Sequence, residues 1–217
     1  MKRKLALFLT AAMMAAALAG CGGSSSETTT AAPAETQAET EDTAAQTDTA
    51  GEDGRYLVWR LYAEPKQWDP TNNSESISDA IVKQLFEGLT VSTADGYKPG
   101  MAESWDVSDD GLTYTFHLRQ DAKWSDGDPV TAHDFEYAWR RICDPSFASE
   151  ALQAMTDYVQ GAQEYFDGTG SYDDVKATAI DDYTFEVVLK NVTPFFPQLV
   201  ANDVYLPIKQ DVVEAAG

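Results

Sequence analysis

A chain of 217 residues with 36 Asp and Glu against 15 Lys and Arg carries a formal charge of −21 at pH 7. Such an anionic surface argues against nucleic acid as a partner, because phosphate backbones require cationic side chains. Hydrophobic residues make up 43% and aromatics 11%, enough apolar side chain for a buried core.

Lys2, Arg3 and Lys4 precede an apolar run from Leu5 to Leu18. The run is too short and too rich in small residues for a membrane span and has the form of a secretory leader. Leu18-Ala19-Gly20-Cys21 closes it and looks like a bacterial lipobox. Residues 1–20 are therefore expected to be a lipoprotein signal peptide, with the Cys21 thiol as the lipidation site that anchors the chain to the outer face of the membrane. An ordinary secretory leader with a coincidental cysteine is the alternative. From Gly22 to Gly54 there is no aromatic residue and no Leu, Ile or Val, and eight residues are acidic. Such a segment cannot bury enough apolar surface to offset ordering entropy, so residues 21–54 are expected to be a disordered, charge-extended tether. A long tether suits a cell wall with no outer membrane to confine the protein.

From Arg55 onward the chain reads as mixed α and β. Tyr56 to Leu61 is expected as a strand, followed by a polar loop from Ala63 to Ser76. Ile77, Ile81, Leu85 and Leu89 recur at helical spacing and mark a helix that ends at the Phe86-Glu87-Gly88-Leu89 turn. Leu112, Tyr114, Phe116 and Leu118 alternate with Thr113, Thr115, His117 and Arg119, the period of a half-buried strand, and Ser108-Asp109-Asp110-Gly111 turns the chain into it. After a second turn at Ser125-Asp126-Gly127-Asp128-Pro129, Thr131 can cap a helix whose apolar stripe is Ala132, Phe135, Trp139 and Ile142. Cys143, at the end of that helix, reads as packing, and with Cys21 acylated it has no disulfide partner. Leu152, Met155, Val159, Ala162 and Phe166 mark a second amphipathic helix stopped by Gly168 and Gly170. Strands at Ala177–Ile180 and Thr184–Leu189 flank an Asp181-Asp182 turn, Phe185, Val187 and Leu189 sharing a face. Thr193-Pro194-Phe195-Phe196-Pro197, an extended Val204–Ile208 and a helix starting at Gln210 follow. No internal repeat is evident.

Candidates for chemistry are few. His117 lies on the polar strand face, and His133 shares a helix face with Glu136, but no third ligand converges, so no metal site is expected. Asp109-Asp110 and Asp181-Asp182 sit where Asp favours turn geometry, and adjacent turn residues project apart. There is no nucleophile elbow and no phosphate-cradling glycine loop. No catalytic residue and no cofactor are expected.

Several motifs recur together and in order: Glu64-Pro65 to Trp68-Asp69-Pro70, Leu85-Phe86-Glu87-Gly88-Leu89, Ala102-Glu103-Ser104-Trp105, Gly111 to Arg119, Lys123-Trp124-Ser125-Asp126-Gly127, and Ala179-Ile180-Asp181-Asp182-Tyr183-Thr184-Phe185. In this the chain resembles the solute-binding proteins of family 5, the oligopeptide- and dipeptide-binding receptors of ABC importers, with Trp68 where that family usually has Leu. The resemblance implies a periplasmic-binding-protein-like type II fold of two α/β lobes joined by a hinge, with an extra small domain inserted in the first lobe. Residues 55–86 would begin lobe one, 87–208 would be the extra domain, and 209–217 would return to lobe one. Family members run to several hundred residues, so the chain would be an N-terminal fragment of such a receptor or a truncated form of one.

The resemblance also implies a site. Family receptors hold a peptide between both lobes, pairing with its backbone, and the loop Thr71–Ser76 would lie beside it, with Ser74, Glu75 and Ser76 nearest. A second edge would come from Ser149, Glu150 and Ala151, Ala151 standing where the family has an aromatic residue. The carboxylate that receives the peptide amine would lie in the second lobe. The implied function is peptide capture outside the cytoplasm by a monomer that feeds ABC permease subunits. Nickel chelates, haem and oligosaccharides are alternative ligands within the family. A lipid-anchored extracellular hydrolase and a purely structural surface lipoprotein are alternatives of other classes.

Overall fold

The computed structural model describes residues 58–61 and 63–216. Cys21, the leader, the tether and the first two residues of the strand expected at 56–61 lie outside the described residues.

The described residues form two antiparallel sheets. β1 (Thr90–Thr93) and β2 (Gly96–Pro99) form a small hairpin. β3 (Ala102–Val107), β4 (Thr113–Leu118), β5 (Ala177–Asp181) and β6 (Thr184–Val188) make the larger sheet in the order β3-β4-β6-β5. The alternation read in β4 holds: Tyr114, Phe116 and Leu118 are buried, while Thr113, Thr115 and His117 are half-buried. Register places Phe116 opposite both Trp105 and Phe185, so one face of the sheet carries a row of aromatics.

α1 (Ser76–Leu85) and α2 (Ala132–Ile142) are the two long helices, and α2 covers the aromatic face. Its start follows from Thr131, whose backbone N–H donates to Asp134 Oδ2 at 2.7 Å, the return bond of a capping box. Ala132, Phe135, Trp139 and Ile142 are all fully buried. The Trp139 ring meets Phe185 edge-on at 5.1 Å and Tyr205 at 5.1 Å, and its indole N–H donates to the Tyr205 carbonyl at 3.0 Å. Cys143 is buried here as well, and burial pushes its thiol up to about 12.

Four expectations change. Residues 58–61 are not a strand: Val58 is 70% and Trp59 51% exposed, with no ladder partner among the described residues. α1 ends at the expected Phe86–Leu89 turn, stopping at Leu85, but Leu89 lies beyond the helix and does not belong to its stripe. Leu85 is 66% exposed and the buried face carries Ser78 and Val82 instead. Periodicity identifies an apolar stripe, but what covers a stripe is decided by distant chain.

The helix expected from Leu152 to Phe166 is two, α3 (Leu152–Thr156) and α4 (Ala162–Phe166). Between them the backbone joins the sheet, Gln160 N–H donating to Val188 at 3.0 Å and Lys190 N–H to Tyr158 at 2.8 Å. Gly161 makes the turn back with φ 83°, and a β-carbon there would run into the Asp174 carbonyl. Asp203–Tyr205 is a turn of 3-10 helix, so the extended stretch begins only at Leu206. α5 (Phe196–Leu199) precedes it, and α6 (Gln210–Ala216) starts where expected.

Candidate functional site

The polar loop before α1 is built from Asp69. Its Oδ1 accepts from the Thr71 backbone N–H at 2.9 Å and the Thr71 hydroxyl at 2.6 Å, closing a 3-10 turn over Pro70–Asn72. Its Oδ2 receives Arg141 Nη1 at 2.6 Å from the last turn of α2. The same guanidinium donates to the Thr71 hydroxyl and lies 3.6 Å above the Phe147 ring. A single guanidinium nitrogen thus holds both Asp69 and Thr71, while the flat face of the cation stacks on Phe147.

This turn is bonded to the segment after α2. The Ser149 hydroxyl donates to the Thr71 carbonyl at 2.5 Å and accepts from the Ala151 N–H at 3.0 Å. The Glu150 N–H donates to Asn72 Oδ1 at 2.9 Å, and the Ser74 hydroxyl donates to the Glu150 carboxylate. The two segments singled out in the sequence, 74–76 and 149–151, are thus one rim. Ser74, Ser76 and Glu150 are exposed and Glu75 is half-buried, whereas Ser149 and Ala151 are each 7% exposed, with side chains turned inward.

Charge on the rim is partly matched. Lys66 Nζ lies 2.5 Å from Glu75, and this hydrogen bond holds the Glu75 carboxyl below the usual carboxylate range. Asn73 is buried beneath the loop: its Oδ1 accepts from Glu75 N–H at 3.1 Å and its Nδ2 donates to Asp203 Oδ2 at 2.6 Å. Among the described residues, the Ser74 and Ser76 backbone N–H groups donate to no protein acceptor. Ser76 opens α1, where the first N–H groups have no partner within the helix.

The sequence pointed at neither Arg141 nor Asp203, and it placed Asn72 and Asn73 only within the Thr71–Ser76 loop, not as its supports. Their partners lie 70 to 130 positions away, and the available signal was the Asp69-Pro70-Thr71 turn. The Asp69–Arg141 pair also borders a cleft of about 560 Å³ lined by Trp68, Phe86, Trp124, Ile208 and Val212.

The other candidates stay local. Asp110 Oδ1 accepts from Leu112 N–H at 3.0 Å and Asp181 Oδ1 from Tyr183 N–H at 2.8 Å, each closing its own turn. His117 pairs with Asp106 at 2.8 Å. His133 lies 3.6 Å from Glu136 and 3.5 Å from Asp182. Among the described residues no three His, Cys, Asp or Glu side chains are grouped to hold a metal ion.

Known proteins share this arrangement of chain. Over 155 residues the sequence is 43% identical to the oligopeptide-binding protein OppA of Bacillus subtilis, covering 71% of this chain and 28% of the relative. The fold matches OppA of Haemophilus influenzae in complex with RPPGFSPFR at a TM-score of 0.66 and 42% identity, over 71% of this chain and 31% of that one. It matches OppA of Listeria monocytogenes bound to peptide at 0.66 and 35% identity, over 69% and 30%. The described residues are thus a mixed α and β portion of a periplasmic-binding-protein-like fold, and the chain spans about 30% of the length of the relatives it matches. Residues 96–216 match the family model of the bacterial extracellular solute-binding proteins, family 5 Middle. On that match, which takes in more than half of its length, the chain belongs to family 5 of the bacterial extracellular solute-binding proteins.

Proposed function

We propose that the chain supplies one side of a peptide clamp in an extracytoplasmic receptor that captures oligopeptides and delivers them to an ABC permease. The observation that carries this reading is the rim itself, where segments 74–76 and 149–151 are hydrogen-bonded to each other and the Ser74 and Ser76 backbone donors have no acceptor among the described residues. An extended peptide that pairs with backbone is held with little regard to its side chains, which suits a receptor of broad intake. Two of the matched structures are named as complexes, one with RPPGFSPFR and one with peptide.

In this reading Ser74, Glu75, Ser76 and Glu150 face the ligand, and Ser149 and Ala151 shape the rim from within. Residues 55–86 belong to lobe one, 87–208 to the extra domain and 209–217 to the return. Cys21 carries the lipid that holds the receptor at the outer face of the membrane, residues 21–54 are the tether, and the receptor acts as a monomer without catalysis.

Calorimetric titration with a mixed set of two- to five-residue peptides tests the reading. A single side of a clamp leaves the peptide amine without its opposing carboxylate, so residues 55–217 bind no tighter than roughly millimolar, with little sequence preference. Binding of a maltooligosaccharide, haem or a nickel chelate with peptides ignored overturns the assignment.

A further inference from the structure

We propose that Asp203 is a positioning residue for the peptide-pairing loop, acting through the side-chain amide of Asn73. The inference rests on the reading of residues 74–76 as the peptide edge.

A primary amide has donors at one end and an acceptor at the other, whereas a carboxylate only accepts. Asp203 Oδ2, 2.6 Å from Asn73 Nδ2, therefore admits just one of the two amide orientations. That orientation turns Asn73 Oδ1 toward Glu75, whose N–H it takes at 3.1 Å. Asn73 (φ −84°, ψ 128°) and Glu75 (φ −113°, ψ 132°) are both extended. Along extended backbone, successive residues face opposite sides. Tying the Glu75 N–H inward thus turns that of Ser76 outward, beside the exposed Ser74, where a peptide could meet it.

Asp203 is itself set by the core. Two residues on, Tyr205 is 1% exposed and its carbonyl receives the Trp139 indole N–H. A continuous relay runs from the core through Tyr205, Asp203 and Asn73 to Glu75. Burial of Asp203 and the like charge of Asp79 both oppose its ionisation, and the Asn73 hydrogen bond, followed by Lys83, offsets part of this.

The test uses nitrogen-15-labelled protein with Asp203→Ala, Asp203→Asn and Asn73→Ala. Loss of one hydrogen bond speeds local opening, so Asp203→Ala should raise Glu75 amide exchange about tenfold. It should also shift the Asn73 side-chain resonances and weaken unrelated peptides alike by about fivefold. Asp203→Asn keeps a carbonyl acceptor but can also donate, so it should restore all three in part. The Trp139 indole signal reports that the fold is intact. Asn73→Ala cuts the relay in its middle while leaving Asp203 in place, and should loosen Glu75 equally even where Asp203→Ala costs the fold. Unchanged Glu75 exchange in folded Asp203→Ala or in Asn73→Ala overturns the proposal. A loosened Glu75 with peptide affinity unaltered upholds the relay and overturns the reading of the loop as the peptide edge.

Discussion

The Ser149 hydroxyl donates to the backbone carbonyl of Thr71 at 2.5 Å, joining segments 78 residues apart. The same oxygen accepts the Ala151 N–H, so one buried hydroxyl satisfies two backbone groups. Ser149→Ala leaves both unpartnered and should cost about 1 to 3 kcal/mol in urea unfolding. A loss below about 0.5 kcal/mol, the scale of an ordinary surface change, would show that the rim is not held by this bond.

Trp139 is the centre of the aromatic core, fully buried and within 5.1 Å of both Phe185 and Tyr205. Trp139→Ala should cost roughly 3 to 5 kcal/mol, since the ring leaves a cavity and the Tyr205 carbonyl loses its donor. Calorimetric melting reads the loss, and one under about 1 kcal/mol would place the ring outside the core.

Acid dependence follows from Asp203. Burial raises its carboxyl in the folded chain above the ordinary value of about 4, so folding favours the protonated form. Its contribution to stability is full below that ordinary value and is lost as pH rises through the raised one. Asp203→Asn removes the cost, so the variant should gain on the wild type at pH 7 and lose the gain at pH 3. Asp134, also raised by burial, adds a slope of the same sign to both proteins and cancels in the comparison. Urea midpoints at the two pH values decide it, and an advantage larger at pH 3 contradicts the assignment.

Ser76→Pro separates folding from binding. Proline is accommodated at the first position of a helix, and Glu75 before it already has the extended backbone that a following proline demands. Stability should stay within about 0.5 kcal/mol. The lost N–H should weaken unrelated peptides by about fivefold. Unchanged affinity would show that this donor does not meet the ligand.

What the sequence made legible was local. The Thr131 cap, the stripe from Ala132 to Ile142 and the alternation in β4 each depend on neighbours within a few positions, and each appears as read. The break between α3 and α4 was not legible, because it is set by Gly161 approaching Asp174 and by Gln160 pairing with Val188. The β1–β2 hairpin escaped because its strands are four residues long and mostly exposed, leaving no alternation. Asp95-Gly96, with Gly96 at φ 132°, was its one signal. At the rim, resemblance supplied Ser74 and Glu150 as candidates. The supports Arg141, Asn73 and Asp203 needed the folded chain, because a polar side chain, on helix or loop, carries no periodicity that names a partner 70 to 130 positions away.

If segments 74–76 and 149–151 form one peptide-pairing rim, their amides respond to peptide as a unit. Amide shift mapping of the labelled chain during titration with several unrelated short peptides tests it most directly, since it reads even weak contacts residue by residue. The Ser74, Glu75, Ser76 and Glu150 amides should move together with each peptide while the indole signals of Trp68 and Trp124 stay still. Shifts centred on the Trp68, Trp124 and Val212 cleft, or none up to about 10 mM peptide, would contradict it.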